Sequence, residues 1–273
     1  MRIEEAEKVA EKGYKIAELS YLFMKERYEK SISGYSPRPN FQIRDECLIG
    51  LWLRSYSWLK TIPKLNQSSD FQAIATACRS LFEIYVDMLF LFRDQTNETA
   101  DKLFWWYKSE KLKAAELKLK YQYDNQLEID NYCSDFIDTE KDEIVLNRQR
   151  IWNTIKHPGN KRWTSFDLSQ DVKRADKVFS VETKRVLMSN LEEFYEIKYR
   201  MMNWDIHSGI SGIHNRETQK FSFGNFFYFL DCSSFGILCT MLLLIDFRVN
   251  EIYPDFNQMF DNVLLARDNI IVD

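Results

Sequence analysis

Two of the three histidines in this 273-residue chain close the same pattern. Arg200-Met201-Met202-Asn203-Trp204-Asp205-Ile206-His207 and Arg150-Ile151-Trp152-Asn153-Thr154-Ile155-Lys156-His157 both read Arg-x2-Asn-x3-His, followed by Ser208-Gly209 and Pro158-Gly159 respectively. At roughly 100 degrees per residue, a helix would bring guanidinium, amide and imidazole within about 60 degrees of one another. Such an edge can hold a phosphate on arginine and move a proton on histidine near neutral pH. Phosphodiester cleavage of RNA needs that pair and no metal. The candidate catalytic set is therefore His207, Arg200 and Asn203, and the second candidate set is His157, Arg150 and Asn153. The alternative for both is a plain helix C-terminus, where histidine suits the dipole and a following glycine stops the helix.

Supporting charges lie elsewhere in the sequence. Arg79, Glu83 and Asp87 follow one another at four-residue spacing among Cys78, Leu81, Phe82, Val86 and Met88. Charges on so apolar a helix need partners. An internal Arg79–Glu83 ion pair is one reading. The other puts Glu83 beside His207, where a carboxylate would fix the imidazole tautomer and raise its pKa. Lys156, Lys161, Arg162 and Trp163, with Arg148, Arg150 and Trp152 nearby, form the cationic and aromatic mixture that RNA contacts use. Glu140, Asp142 and Glu143 dilute it, so a solvated helix face with a core tryptophan remains open as the alternative.

Several chemistries are excluded by missing patterns. No Gly-x-x-x-x-Gly-Lys loop, Gly-x-Gly-x-x-Gly fingerprint or Gly-x-Ser-x-Gly elbow occurs. No His-Glu-x-x-His, Glu-x-x-His pair or cysteine cluster accompanies the histidines, so neither a metal nor a cofactor is expected. With 37 basic against 41 acidic residues, the net charge of -4 supplies no global attraction for nucleic acid or an anionic membrane. The five scattered cysteines read as reduced thiols of a cytoplasmic protein. The N-terminus lacks the apolar stretch of a secretory signal. The greasiest run, Phe226 to Ile245, is broken by Asp231, Ser233 and Ser234, which predicts a buried helix and no membrane partner, a membrane helix being the minor alternative.

These residues must be carried by helices. Only 8 glycines and 5 prolines punctuate the chain, and no period-two alternation is long enough for a sheet. The prediction is all-α, a bundle of about eight to ten helices in a single domain 1–273, with 1–138 and 139–273 as the available lobes. A first helix runs from Ile3 to Tyr28. Asn40 would cap a second that ends at Pro63 and buries Leu48, Leu51, Trp52, Ser55, Trp58, Leu59 and Ile62. Ser69 or Asp70 would cap a central helix, and Asn97 a long one whose lysines face solvent. Residues 126–156 read as two helices bent at Asp138-Thr139, the second carrying Ile144, Leu146, Ile151, Trp152 and Ile155. A short helix near Gln170 to Val178 precedes one from Ser180 to about His207. Ser208 to Ser222 reads as a loop, and helices follow at 223–246 and 255–266.

Ala77-Cys78-Arg79-Ser80-Leu81-Phe82-Glu83, Trp163 with the short polar helix after it, and Tyr195 to Tyr199 leading through Arg200 to His207-Ser208-Gly209 resemble a bacterial family of helical proteins known as a domain of unknown function. Those stretches span residues 70 to 210. Arg-x6-His on a helix is also similar to the signature of the HEPN superfamily, many of whose members are metal-independent ribonucleases in toxin and antiphage systems. The resemblance implies that His207 deprotonates a ribose 2'-hydroxyl while Arg200 holds the phosphate, in a site shared across a homodimer. The expected function is thus a HEPN-like ribonuclease or RNA-binding component of a toxin–antitoxin or antiphage system, with RNA and a protein from the same operon as partners. The alternative is a non-catalytic helical interaction or regulatory module.

Overall fold

The computed structural model describes residues 3–32, 38–65, 70–94, 96–159, 162–206 and 218–247. Its helices are α1 (Ile3–Arg27), α2 (Gln42–Thr61), α3 (Phe71–Arg93), α4 (Glu98–Asp124), α5 (Asn131–Trp152), α6 (Leu168–Ala175), α7 (Ser180–Leu187), α8 (Leu191–Phe194), α9 (Arg200–Ile206) and α10 (Thr218–Asp246). A π-helical turn, Tyr195–Tyr199, links α8 to α9, and another, Tyr28–Ile32, extends α1. No strand occurs among the described residues, and the fold is all-α.

The broad apolar arc of α3 makes it the central helix. Leu81, Phe82, Tyr85, Val86 and Leu89 are fully buried, with α2, α4, α6, α9 and α10 packed around them. Helix α10 lies along α1, α2 and α3. Trp52 Nε1 donates to Thr240 Oγ1 at 3.0 Å across that interface. Its stretch Phe226–Asp246 is long and apolar enough to cross a membrane, and most of it is buried inside this fold. Lys198 Nζ donates to both carboxylate oxygens of Asp231, at 2.8 and 3.0 Å, so the charge that interrupts the apolar run is tied to the Tyr195–Tyr199 turn.

Helices α4 and α5 form an antiparallel arm, as the pairs Lys118–Asp130, Lys108–Glu140 and Arg150–Asp101 show. Trp105, Leu112, Leu119, Phe136 and Ile144 give the arm its own apolar cluster, and Trp152 touches both that cluster and the main core.

Several expectations are corrected. Helix α5 runs unbroken through Asp138-Thr139, because the Thr139 hydroxyl bonds back to Asp135 O at 2.7 Å instead of leaving the helix. Leu146 and Ile155 are 69% and 63% exposed, off the buried face. Asn40 does not cap α2; its carbonyl accepts from Asn97 Nδ2 at 2.9 Å, and Asn97 in turn makes no capping bond to α4. Asp94 serves α4 instead, accepting from Thr96 N and Thr99 N, each at 2.9 Å. Asp70 occupies the N-cap position of α3 without a capping bond, and Ser69 lies outside the described residues. Trp58 is only half-buried. The expected helix from Ser180 to His207 is broken by left-handed backbone at Met188 (φ 57°), after which Asn190 caps α8 through Glu193 N at 2.7 Å. Helix α10 starts at Thr218, inside the segment read as loop. The helix expected at 255–266 lies outside the described residues.

The end of α10 is held by a buried ionic knot. Arg44 donates to Asp246 Oδ2 at 2.7 Å and to the carbonyls of Leu91 and Asp94 at 3.0 Å each. Arg38 bridges Asp45 at 2.6 Å and Asp246 at 2.8 Å. With the Arg44 side chain only 4% exposed, Asp246→Ala would leave this buried cation with only the 3.9 Å carboxylate contact to Asp45 among the described residues, so chemical denaturation should show a loss of about 3 kcal/mol. A loss below about 1 kcal/mol would contradict this account of the knot.

Candidate functional site

The charged residues of α3 and the late helix meet. Arg79 Nη2 donates to Tyr199 OH at 2.9 Å, and the same hydroxyl donates to Glu83 Oε1 at 2.5 Å. The Arg79 guanidinium sits 4.9 Å from the Tyr199 ring centroid. The expected Arg79–Glu83 contact is present at 3.5 Å, but the tyrosine is the closer partner of both. Burial, followed by the Glu83 charge, pushes the Tyr199 pKa well above its ordinary value, so the phenol stays protonated and can donate. Arg79 and Glu83 side chains remain 25% and 36% exposed. The seam is thus reachable from solvent.

Helix α9 carries Asn203 one turn beyond Tyr199. Its Oδ1 is buried without a hydrogen-bond partner, and the adjacent Met202 is fully buried. Arg200 does not join the seam. Its side chain is 58% exposed, pairs with Glu196 at 3.0 Å and lies over the Tyr195 ring. His207 lies outside the described residues.

Beneath the seam, Arg162 gathers three carboxylates. It donates to Asp87 Oδ1 at 2.5 Å and to Asp171 Oδ2 at 2.8 Å, and its Nη1 lies 3.8 Å from Glu83 Oε2. Trp163 Nε1 donates to the same Asp87 oxygen at 2.8 Å, and Thr164 Oγ1 to Asp171 at 2.6 Å. Burial pushes the Asp87 pKa up to about 6, with Arg162 and the Trp163 N–H pulling it back. For Arg162, burial opposes the charge, but Asp87, Asp171 and Glu83 outweigh it and leave the pKa raised. Arg162 and Trp163, candidate RNA contacts from the sequence with a core tryptophan as the alternative, both donate to Asp87, because that carboxylate on the central helix needs a cation and a donor. Lys156 remains exposed, and Lys161 lies outside the described residues.

The second Arg-x2-Asn-x3-His copy is not on one helix. Helix α5 stops at Trp152, and Asn153 is left-handed (φ 53°), so the helical spacing to His157 is lost. Arg150 pairs with Asp101 at 3.0 Å, and Asn153 Oδ1 accepts from Gln149 Nε2 at 2.8 Å. His157 packs against the Trp106 ring, its Nδ1 accepts from Gly159 N at 3.1 Å, and its Nε2 faces Glu110. An accepting Nδ1 places the proton of the neutral ring on Nε2, on the side of the Glu110 carboxylate.

Tyr199, Asp171 and the Asp87–Arg162 pairing carry the site without having been assigned to it from sequence. Asp87 alone left a signal, a charge in an apolar helix that demanded a partner. Among the described residues no group of three or more His, Cys, Asp or Glu could hold a metal. As a chemical unit, the seam presents a half-exposed cation, a protonated phenol and a carboxylate. Such a set can bind an oxyanion and hold a proton.

Burial lowers the His157 pKa below 6.5, against the pull of Glu110. The unfolded chain therefore takes up the proton first, so this residue's contribution to stability is present above pH 6.5 and is lost as pH falls through the folded pKa. An NMR titration should find the His157 midpoint below that of a model imidazole, and His157→Gln should flatten the acid limb of stability against pH. A midpoint above 6.5 would overturn this reading.

No curated protein matches the chain, and no solved structure does. One family model matches residues 45–223, a stretch that includes every residue of the α3–α9 seam and of the Arg162 network. On that match the chain belongs to the Family of unknown function (DUF5677).

Proposed function

We propose that the chain is a HEPN-like protein that cleaves RNA without a metal on the α9 edge that carries Arg200, beside the α3–α9 seam, working in the cytoplasm as a homodimer within a toxin–antitoxin or antiphage system. His207 takes the proton of a ribose 2'-hydroxyl, and Arg200 holds the phosphate. The 2'-oxygen then attacks the adjacent phosphorus and displaces the 5'-oxygen, which takes a proton from water, leaving a cyclic phosphate and a 5'-hydroxyl. Asn203, Tyr199, Arg79 and Glu83 orient the edge. The observation that carries this reading is the bond of Tyr199, the residue before Arg200, to both Arg79 and Glu83. It sets the late helix of the Arg-x6-His pattern against a half-exposed cation and carboxylate.

A second reading, a non-catalytic module that binds a protein from the same operon, is favoured by one observation. The guanidinium groups of the region already have protein acceptors: Arg79 on Tyr199, Arg162 on Asp87 and Asp171, Arg200 on Glu196.

Incubation of the purified chain with total RNA in excess EDTA separates the two. Cleavage should survive the chelator, vanish in His207→Ala and fall by about 10²-fold in Arg200→Ala. RNA affinity should weaken steeply with salt. Absence of cleavage together with absent or salt-insensitive RNA binding would discard the nuclease in favour of the interaction module.

A further inference from the structure

A glycine inside a helix costs about 1 kcal/mol relative to alanine, so each one calls for a reason. Two of those described here have one. A Cβ on Gly13 would stand 2.9 Å from Phe226 Cδ2, and one on Gly236 would collide with Leu59 Cδ1. In both places a neighbouring helix approaches too closely for a side chain. Gly50, in the middle of α2, is different. It is exposed, and a Cβ there would meet nothing within 4 Å. Its missing side chain leaves room for something outside the fold.

That room is the floor of a cleft of about 560 Å³ between α2 and α4, within the range of small-ligand sites. Cys47, Gly50 and Leu51 line it from one side at helical spacing, and Phe104 and Tyr107 from the other. Cys47 Sγ reaches Ala100 O, while Arg54 Nη1 donates to Tyr107 OH at 2.7 Å. The two helices therefore run parallel, and the cleft is polarised along them. Its Cys47 end holds no cation: burial pushes that thiol up to about 12, and Glu46 lies beside it. Its Arg54 end is cationic, with Lys111 four residues beyond Tyr107.

Lys108, also at the rim, is neutralised by Glu140 at 2.7 Å. Arg54 and Lys111 are not. Arg54 has the Tyr107 hydroxyl and ring, and Lys111 has the Tyr132 hydroxyl at 2.7 Å and the Phe136 ring at 4.2 Å. Among the described residues neither cation pairs with a carboxylate. Glu46 is the single acidic residue in the lining, and it sits at the Cys47 end, away from Arg54 and Lys111.

We propose that this cleft binds a small aromatic anion of the nucleoside monophosphate class, its base lying over Gly50 against Phe104 and its phosphate held by Arg54 and Lys111. The phosphate is thus gripped by side-chain cations, not by a helix terminus. This site is separate from the α3–α9 seam and does not depend on the nuclease reading.

Calorimetric titration of the full chain tests it, with AMP and UMP as probes and with adenosine, uridine and inorganic phosphate as separate arms. A monophosphate should bind more tightly than either the nucleoside or phosphate alone. Gly50→Leu should weaken it at least tenfold without lowering the thermal midpoint, because leucine removes the helix penalty of glycine while filling the floor. Arg54→Gln should weaken the monophosphate tenfold and leave any nucleoside binding unchanged. His207→Ala should bind normally, whatever its effect on RNA. The proposal fails if no monophosphate binds at millimolar concentration, if phosphate alone binds equally well, or if Gly50→Leu leaves binding unchanged. A change in oligomeric state by light scattering in Gly50→Leu, without monophosphate binding, would assign the cleft to a second copy of the chain and overturn it.

Discussion

Asp87 is buried on the apolar central helix α3, where a bare carboxylate would be costly to desolvate, and the local structure is arranged around meeting that demand. Arg162 and Trp163 both come to it from the connection between α5 and α6. Holding Arg162 in place also holds Asp171, and hence α6, against α3. Asp176, at the end of α6, accepts from Leu191 N at 2.6 Å and so sets where α8 begins. From there the chain passes through the π-helical turn to Tyr199, whose hydroxyl returns to Glu83, one turn from Asp87. The contacts close a circuit that starts and ends on α3.

This circuit explains why the late helix is built from pieces. A continuous helix from Ser180 would have one axis and one phase. The left-handed residue at Met188, the fresh cap at Asn190 and the wider turn at Tyr195–Tyr199 each adjust direction or register. Lys198 points to Asp231 on α10 while Tyr199 points to α3, so adjacent residues of the turn anchor two different helices. Backbone irregularity here serves positioning.

The two Arg-x2-Asn-x3-His stretches show how identical spacing can lead to different structures. In the late copy, Arg200 and Asn203 share the regular helix α9. In the earlier copy, Asn153 turns left-handed directly after Trp152, and the Trp106 ring and Glu110 claim His157. Spacing defines an edge only if the backbone stays helical through it, and that depends on which neighbours wait at the helix end.

All-α architecture, the central position of α3 and the buried face of α2 were legible in the sequence, because period-3.6 burial and scarce glycine and proline are local properties. The need of Asp87 for a partner was legible for the same reason. Its partner was not: Arg162 is 75 residues away, in a connection without periodicity, and it looked like one cation among several. The caps at Asp94 and Asn190, the break at Met188 and the end of α5 at Trp152 were also out of reach, since each pits one local preference against another of similar size. Tertiary packing decided those contests, because a single buried contact is worth more than the few tenths of a kcal/mol by which about half the residue types differ in helix preference.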